Sequence, residues 1–273
     1  MLKTRVITAI VLLAVFLPVT LLAPVGAFGA LIAFVLVFAA WEWARLLKLD
    51  GAGPIIYALI AAVALVASTR LGVGVRPPRP LFQAAAVFWV LAGPFVLMRK
   101  PVLAHGAWRL FLFLAGIVVF VACWHALVAA RLEGVPFVLS LLLVVWLADI
   151  GAYFAGKAFG KHKLAPAISP GKTWEGAAGG WLAVMIVAAA ASMSGVLTPT
   201  LFTDLALRLG SVRALVALTV LVAFSVVGDL FESLLKRQAG VKDSSGLLPG
   251  HGGVLDRIDA LLPVLPLAML LLG

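Results

Sequence analysis

Between Ser233 and Asp259 the chain reads SLLKRQAGVKDSSGLLPGHGGVLDRID, and these 27 residues hold Lys236, Arg237, Lys242, Asp243, His251, Asp256, Arg257 and Asp259. Only 12% of the chain is charged, so this density in one glycine-rich stretch marks a place where an ionic ligand is handled. Carboxylates suit hard divalent cations such as Mg²⁺, and lysine and arginine suit phosphate. Asp256 and Asp259 are three residues apart, a spacing that puts both carboxylates on one face of a helix. Asp243 would add a third oxygen ligand from the loop. Gly246, Gly250, Gly252 and Gly253 permit tight turns and close approach of backbone to a phosphate. Arg257 is expected to pair with a carboxylate or bind a phosphate, and His251 to bind or protonate one.

A second polar block, Asp149 through Gly180, reads DIGAYFAGKAFGKHKLAPAISPGKTWEGAAGG. Asp149 follows the apolar run LLLVVWLA, and an ionisable group at membrane depth is a functional candidate by default. Lys157, Lys161, Lys163 and Lys172 follow it. Ser169-Pro170-Gly171-Lys172-Thr173 reads as a phosphate-binding turn ahead of a helix, with Thr173 as its cap. It lacks the Gly-x-x-x-x-Gly-Lys arrangement of a Walker loop. A third pair, Asp229 and Glu232, leads directly into the first block. These acids either add metal ligands or, through Glu232, pair with Lys236 four residues on.

Other polar residues read as structural. Glu42, between Trp41 and Trp43, is expected to sit at a membrane edge and pair with Arg45, with the tryptophans as interfacial anchors. His105, His125 and His162 show no ligand spacing, and His125 reads as a hydrogen-bonded histidine inside a helix bundle. The single cysteine, Cys123, excludes an intrachain disulfide and a cysteine metal site.

The elements that must position these groups are membrane helices. The chain has 273 residues, 64% of them apolar, with a mean hydropathy of +1.19, well above a soluble domain. The expected fold is all-α and polytopic. About nine spans can be drawn, at 6–24, 26–44, 54–69, 81–98, 110–130, 135–156, 176–197, 213–235 and 258–272, each long enough or nearly long enough to cross a bilayer. The last is short and carries Pro263 and Pro266, so a kink is expected. MLKTR and the apolar run after it read as an uncleaved first span. The segment 70–80, RLGVGVRPPRP, reads as a stiff basic connector. Residues 1–130 are expected to form an N-terminal set of helices and 131–273 a catalytic membrane region.

The net charge of +10 is spread between spans and not over one soluble face. That pattern argues against nucleic acid and for anionic headgroups and phosphate-bearing substrates. Connections on the side of the N-terminus hold 15 of the 21 lysines and arginines. This bias places the N-terminus and both motif loops in the cytoplasm.

The positions in Ser233–Asp259 also match a known signature: Ser-x-x-Lys-Arg, four residues, Lys-Asp, then Pro-x-His-Gly-Gly-x-x-Asp-Arg-x-Asp. By these twelve fixed positions the chain resembles the phosphatidate cytidylyltransferases (CDP-diacylglycerol synthases). The block around Lys172 is similar to that family's Ser-Pro-x-Lys-Thr-x-Glu-Gly, although many members carry lysine where Gly171 stands. The resemblance implies a nucleotidyltransferase of phospholipid biosynthesis in a bacterial inner or plasma membrane. It would turn CTP and phosphatidic acid into CDP-diacylglycerol and pyrophosphate. The expected cofactor is Mg²⁺, with room for a second, monovalent or divalent cation. The catalytic residues expected are Lys242, Asp243, Asp256 and Asp259, with Asp229, Asp243, Asp256 and Asp259 around metal. Ser169, Lys172, Thr173, Ser233, Lys236, Arg237, His251 and Arg257 would bind substrate. Membrane lipids are the surroundings, and a homodimer stays open. Two rivals are an intramembrane aspartate-rich prenyltransferase, for which a second Asp-x-x-x-Asp-type motif is not evident, and an organic-anion transporter, for which repeated halves are not evident.

Overall fold

The structure is a computed structural model and describes residues 2–70, 79–195 and 198–273. Inside a bilayer each backbone N–H and C=O must be satisfied within its own segment, so the apolar runs become helices. In chain order these begin with α1 (Leu2–Leu22), α2 (Val25–Leu46) and α3 (Gly53–Arg70). A composite span follows, made of α4 (Arg79–Val87), a π-helical turn (Phe88–Ala92) and α5 (Gly93–Arg99). Pro94, just past that turn, has no N–H to give and its ring crowds the preceding turn, which accounts for the widened helix there. Next are α6 (Gly106–Glu133), α7 (Val135–Phe159) and a hairpin of β1 (Lys163–Ala165) and β2 (Ser169–Thr173). The chain ends with α8 (Trp174–Ser194), α9 (Leu201–Leu209), α10 (Ser211–Ala239), α11 (Leu255–Ile258) and α12 (Leu261–Leu272).

Among the described residues, six helices are long and apolar enough to cross a membrane: α2, the composite Arg79–Arg99, α6, α7, α8 and α10. Shorter apolar segments run over Val6–Leu22 and Gly53–Thr69, and α12 has 12 residues. The all-α membrane architecture is therefore as expected. A count of nine depends on adding these three shorter helices. Besides the π-helical turn, two elements were not expected. One is the β hairpin; the other is α9, a short helix opened by a capping box in which Thr200 and Thr203 satisfy each other's N–H groups. Residues 71–78 of the basic connector lie outside the described residues.

Two packing features place the site. At the centre, Trp43 of α2 stacks on Phe231 of α10 with ring centroids 5.9 Å apart, and Trp89 meets the same Phe231 edge-on at 5.4 Å. The Trp43 indole donates to the Leu112 carbonyl at 3.1 Å, and the Tyr57 hydroxyl to that of Phe113 at 2.9 Å. Gly116 makes this possible, because a Cβ there would meet the Tyr57 hydroxyl and the Trp43 Nε1. At the edge, α7 and α8 pack backbone to backbone through small residues. A Cβ on Gly151 would lie 2.8 Å from the Gly179 carbonyl, one on Gly176 would lie 2.9 Å from that of Ala152, and one on Gly180 would strike Ala148.

Candidate active site

The hairpin between α7 and α8 presents Lys172. It was expected to be a turn; it is instead a short antiparallel ladder pairing Lys163 with Thr173 and Ala165 with Ser169. Four contacts hold it. Trp174 N–H donates to His162 O at 2.9 Å. The N–H groups of Lys161 and His162 donate to the Glu175 carboxylate at 3.1 and 3.2 Å, and His162 Nδ1 lies 2.6 Å from Glu175 Oε1. Thr173 caps α8 as expected, its buried hydroxyl accepting from Gly176 N–H at 3.1 Å.

Below the hairpin, α7, α8 and α10 enclose a cleft of about 540 Å³. Asp149, Ser169, Lys172, Thr173 and Asp229 line its polar end; Val222, Val226 and Ala152 line its apolar wall. Lys172 forms a salt bridge with Asp229, both partly buried. The second block and the end of α10, more than fifty residues apart in sequence, thus meet in one place. Ser233 donates to Asp229 Oδ1 at 3.3 Å. Arg237 reaches back to the hairpin, its Nε 3.3 Å from the Ile168 carbonyl.

Lys236 stands between two acids, its Nζ 2.5 Å from Glu232 Oε2 and 2.5 Å from Asp256 Oδ1. Among the described residues neither Glu232 oxygen has a well-aligned hydrogen bond, and both are buried. Asp149, Asp229, Glu232, Asp256 and Asp259 lie within electrostatic reach of one another in a chain, with Lys172, Lys236 and Arg257 among them. Burial first, then the Asp229 carboxylate, hold Asp259 above the usual carboxylate range. Asp256 goes the other way. Burial pushes it up, but the Lys236 ammonium and the Gly253 and Ser244 N–H groups outweigh that and hold it below the usual range.

The signature loop closes over this cluster. Its turn is fixed by Leu248 N–H on Gly252 O and His251 N–H on Leu248 O, both at 2.8 Å. Gly250 and Gly252 have φ of +76° and +82°, a backbone shape that favours glycine. Arg257 donates to His251 O from Nε at 3.0 Å and Nη2 at 2.6 Å, while His251 Nδ1 is buried with no partner among the described residues. Lys242, Asp243, His251 and Arg257 line a second, outer cleft of about 740 Å³, to which Thr4 of α1 also contributes.

Asp256 and Asp259, expected to act at one point, have different neighbours. Asp256 Oδ2 accepts from Ser244 N–H at 2.9 Å, Ser244 Oγ at 2.9 Å and Gly253 N–H at 2.7 Å, and Oδ1 meets Lys236. Asp259 accepts only from Ala260 N–H, at 2.8 Å, among the described residues. Glu42 does not pair with Arg45, whose guanidinium lies 4.7 Å over the Trp41 ring. Glu42 is completely buried and bonded to the signature loop. Sequence reasoning missed this, and missed Ser244 and Ser245 with it. A signal existed, since Glu42 is the only acid before Asp50.

A model of the cytidylyltransferase family matches residues 3–273. The chain is 41% identical over 277 residues to a phosphatidate cytidylyltransferase of Pseudomonas aeruginosa, covering 100% of this chain and 97% of that protein. A phosphatidate cytidylyltransferase of Haemophilus influenzae is 34% identical over 302 residues, covering 97% and 96%. One of Staphylococcus epidermidis is 36% identical over 278 residues, covering 99% and 98%.

Proposed function

The chain belongs to the cytidylyltransferase family, and from that premise we infer that it joins CTP to phosphatidate, giving CDP-diacylglycerol and pyrophosphate. The observation that carries this reading is the Lys172–Asp229 contact, which brings two motif blocks to the polar end of a cleft with an apolar wall. That cleft suits a phosphate on an acyl-bearing lipid. The outer cleft, with Lys242, His251 and Arg257, suits the nucleotide triphosphate.

In the reaction a phosphate oxygen of the lipid attacks the α-phosphorus of CTP. The new O–P bond forms as the α–β phosphoanhydride breaks, and pyrophosphate leaves with the electron pair. The lipid phosphate is already ionised, so no protein nucleophile or base is needed. The difficulty is repulsion between two anions, and the work of the site is to position and screen them. Lys172 would release Asp229 and turn to phosphate. Lys236, Lys242, Arg237 and Arg257 supply further positive charge, and Ser169 and Ser233 hydroxyls complete the polar end.

The acid-rich cluster around Asp149, Asp229, Glu232, Asp256 and Asp259 fits a divalent cation. Among the described residues no three acidic, imidazole or thiol groups converge as a closed metal-binding group. That suits Mg²⁺ held by one or two carboxylates and completed by water and substrate phosphates. Asp259 has the free capacity to hold it, and Asp229 would gain it once Lys172 turns to phosphate. Asp243 stands exposed on the loop as a further carboxylate, and Asp256 is engaged in holding Lys236 and the loop. Bound there, the ion would screen the meeting phosphates and the departing pyrophosphate. The charge bias supports a cytoplasmic face for both motif loops, where CTP is available.

Purified protein in detergent tests the function. With Mg²⁺, CTP and phosphatidic acid it should release pyrophosphate one-for-one with a cytidine-bearing lipid. Pyrophosphate release that ignores phosphatidic acid, or none at all, would refute the reading.

A further inference from the structure

Glu42 lies on α2, some two hundred residues from the signature, and is fully buried. Oε1 accepts from Ser245 Oγ at 2.5 Å and Val254 N–H at 3.0 Å. Oε2 accepts from Leu255 N–H at 2.6 Å and has Ser244 Oγ at 3.1 Å. Every one of these donors belongs to the loop between Asp243 and Asp256. Ser244 Oγ also lies 2.9 Å from Asp256 Oδ2, so one hydroxyl proton is shared between the two acids. The loop is shaped to receive Glu42: a Cβ on Gly253 would run into the Glu42 carboxylate and the Ser244 hydroxyl. The signature's second glycine is therefore explained by this side chain from outside the signature.

We propose that Glu42 is a positioning residue for the transfer reaction, fixing the signature loop so that Asp256 aims Lys236 at the phosphates. The path runs from Glu42 through Ser244 and Asp256 to Lys236, each step a contact given above. Behind Glu42, α2 cannot give way, because the adjacent Trp43 is wedged against Phe231 and bonded to Leu112. Glu42 thus ties the loop to the most rigid part of the bundle. The proposal rests on the reading of function above. It assigns the nucleotide side of the site to this tether, because the lipid cleft is walled by α7, α8 and α10 and does not include the loop.

Glu42→Gln keeps the shape but turns an NH₂ group toward one serine hydroxyl, which can rotate to accept, and one backbone N–H, whose bond is lost whichever way the amide points. Turnover should fall or the KM for CTP should rise, on the order of 10- to 100-fold in kcat/KM for CTP, with the KM for phosphatidate unchanged. Amide hydrogen exchange at Val254 and Leu255 should speed up while the hairpin 163–173 keeps its protection. Leu36→Ala, a buried change elsewhere on α2, serves as the control: it should lower thermal stability and leave both KM values alone. If Glu42→Gln does not fold, Ser245→Ala, which leaves the carboxylate in place, should show the same bias toward CTP. Kinetics within about twofold of wild type, or equal losses for both substrates matching Leu36→Ala, would overturn the proposal. Should wild type make no cytidine-bearing lipid while the exchange difference persists, the reading of function fails and the tether stands.

Discussion

Lys172 faces a carboxylate in a cleft, whereas the Lys161 side chain is exposed and only its N–H is used. Lys172→Ala should therefore cost the enzyme a charge-assisted phosphate contact of about 1.5–3 kcal/mol, or roughly 10- to 150-fold in kcat/KM for phosphatidate. Thermal stability should stay level, and Lys161→Ala should be nearly silent. Steady-state kinetics at subsaturating phosphatidate with a melting curve on each variant checks both. The two aspartates of the signature should fail differently. Asp259→Asn removes a carboxylate with spare capacity, so the response to Mg²⁺ should weaken most there. Asp256→Asn releases Lys236 and the loop. Because Asp256 is held below the usual carboxylate range, its stabilising share is complete above about pH 4, the unfolded value, and is lost as pH falls through the lower folded value. Thermal melts across that acid range should show this loss in wild type and not in Asp256→Asn. The acids, lysines and glycines of the signature were legible as chemistry because charged residues are costly in such a chain. Which oxygen meets which donor was not, since Glu42 and Ser244 are paired by tertiary contact alone.

The α7–α8 pair shows what elements contribute. Gly176 and Gly180 let the two backbones touch, and that contact sets Asp149 against the start of α8. A methyl group at Gly180 would strike the Ala148 carbonyl, so Gly180→Ala should force the helices apart, cost about 1–3 kcal/mol and reduce turnover in the folded fraction. Gly171→Ala meets nothing within 4 Å and should retain both stability and rate. Comparing the two by melting temperature and kcat separates packing glycines from permissive ones. Apolar length made the long helices legible. The hairpin was not, because its five-residue strand Ser-Pro-Gly-Lys-Thr carries turn-forming residues and is fixed by Glu175 and His162 across thirteen residues. The π turn before Pro94 and the polar-capped α9 were hidden for the same reason: local exceptions inside or beside apolar runs leave the overall pattern unchanged.

For the whole molecule, the fold class followed from hydropathy; the clustering of charge and glycine in two blocks pointed to a phosphate-bearing ligand and a divalent cation, and the reaction itself came from the resemblance carried by the twelve signature positions. What sequence could not supply was the dependence of the C-terminal signature on α2, so that residues from the N-terminal part help hold a site whose chemistry lies in the C-terminal part. The charge bias predicts one face for both blocks. In a Cys123→Ser background, single cysteines in 157–163 and 242–247 should resist an impermeant thiol reagent applied outside intact cells and react after permeabilisation. The central claim is the identity of the group transferred. Purified protein given phosphatidic acid, Mg²⁺ and CTP labelled at either the α- or the γ-phosphate tests it most directly. The account predicts that the α label moves into lipid and the γ label appears only in pyrophosphate. A γ label in lipid, or both labels remaining in soluble nucleotide products, would contradict it.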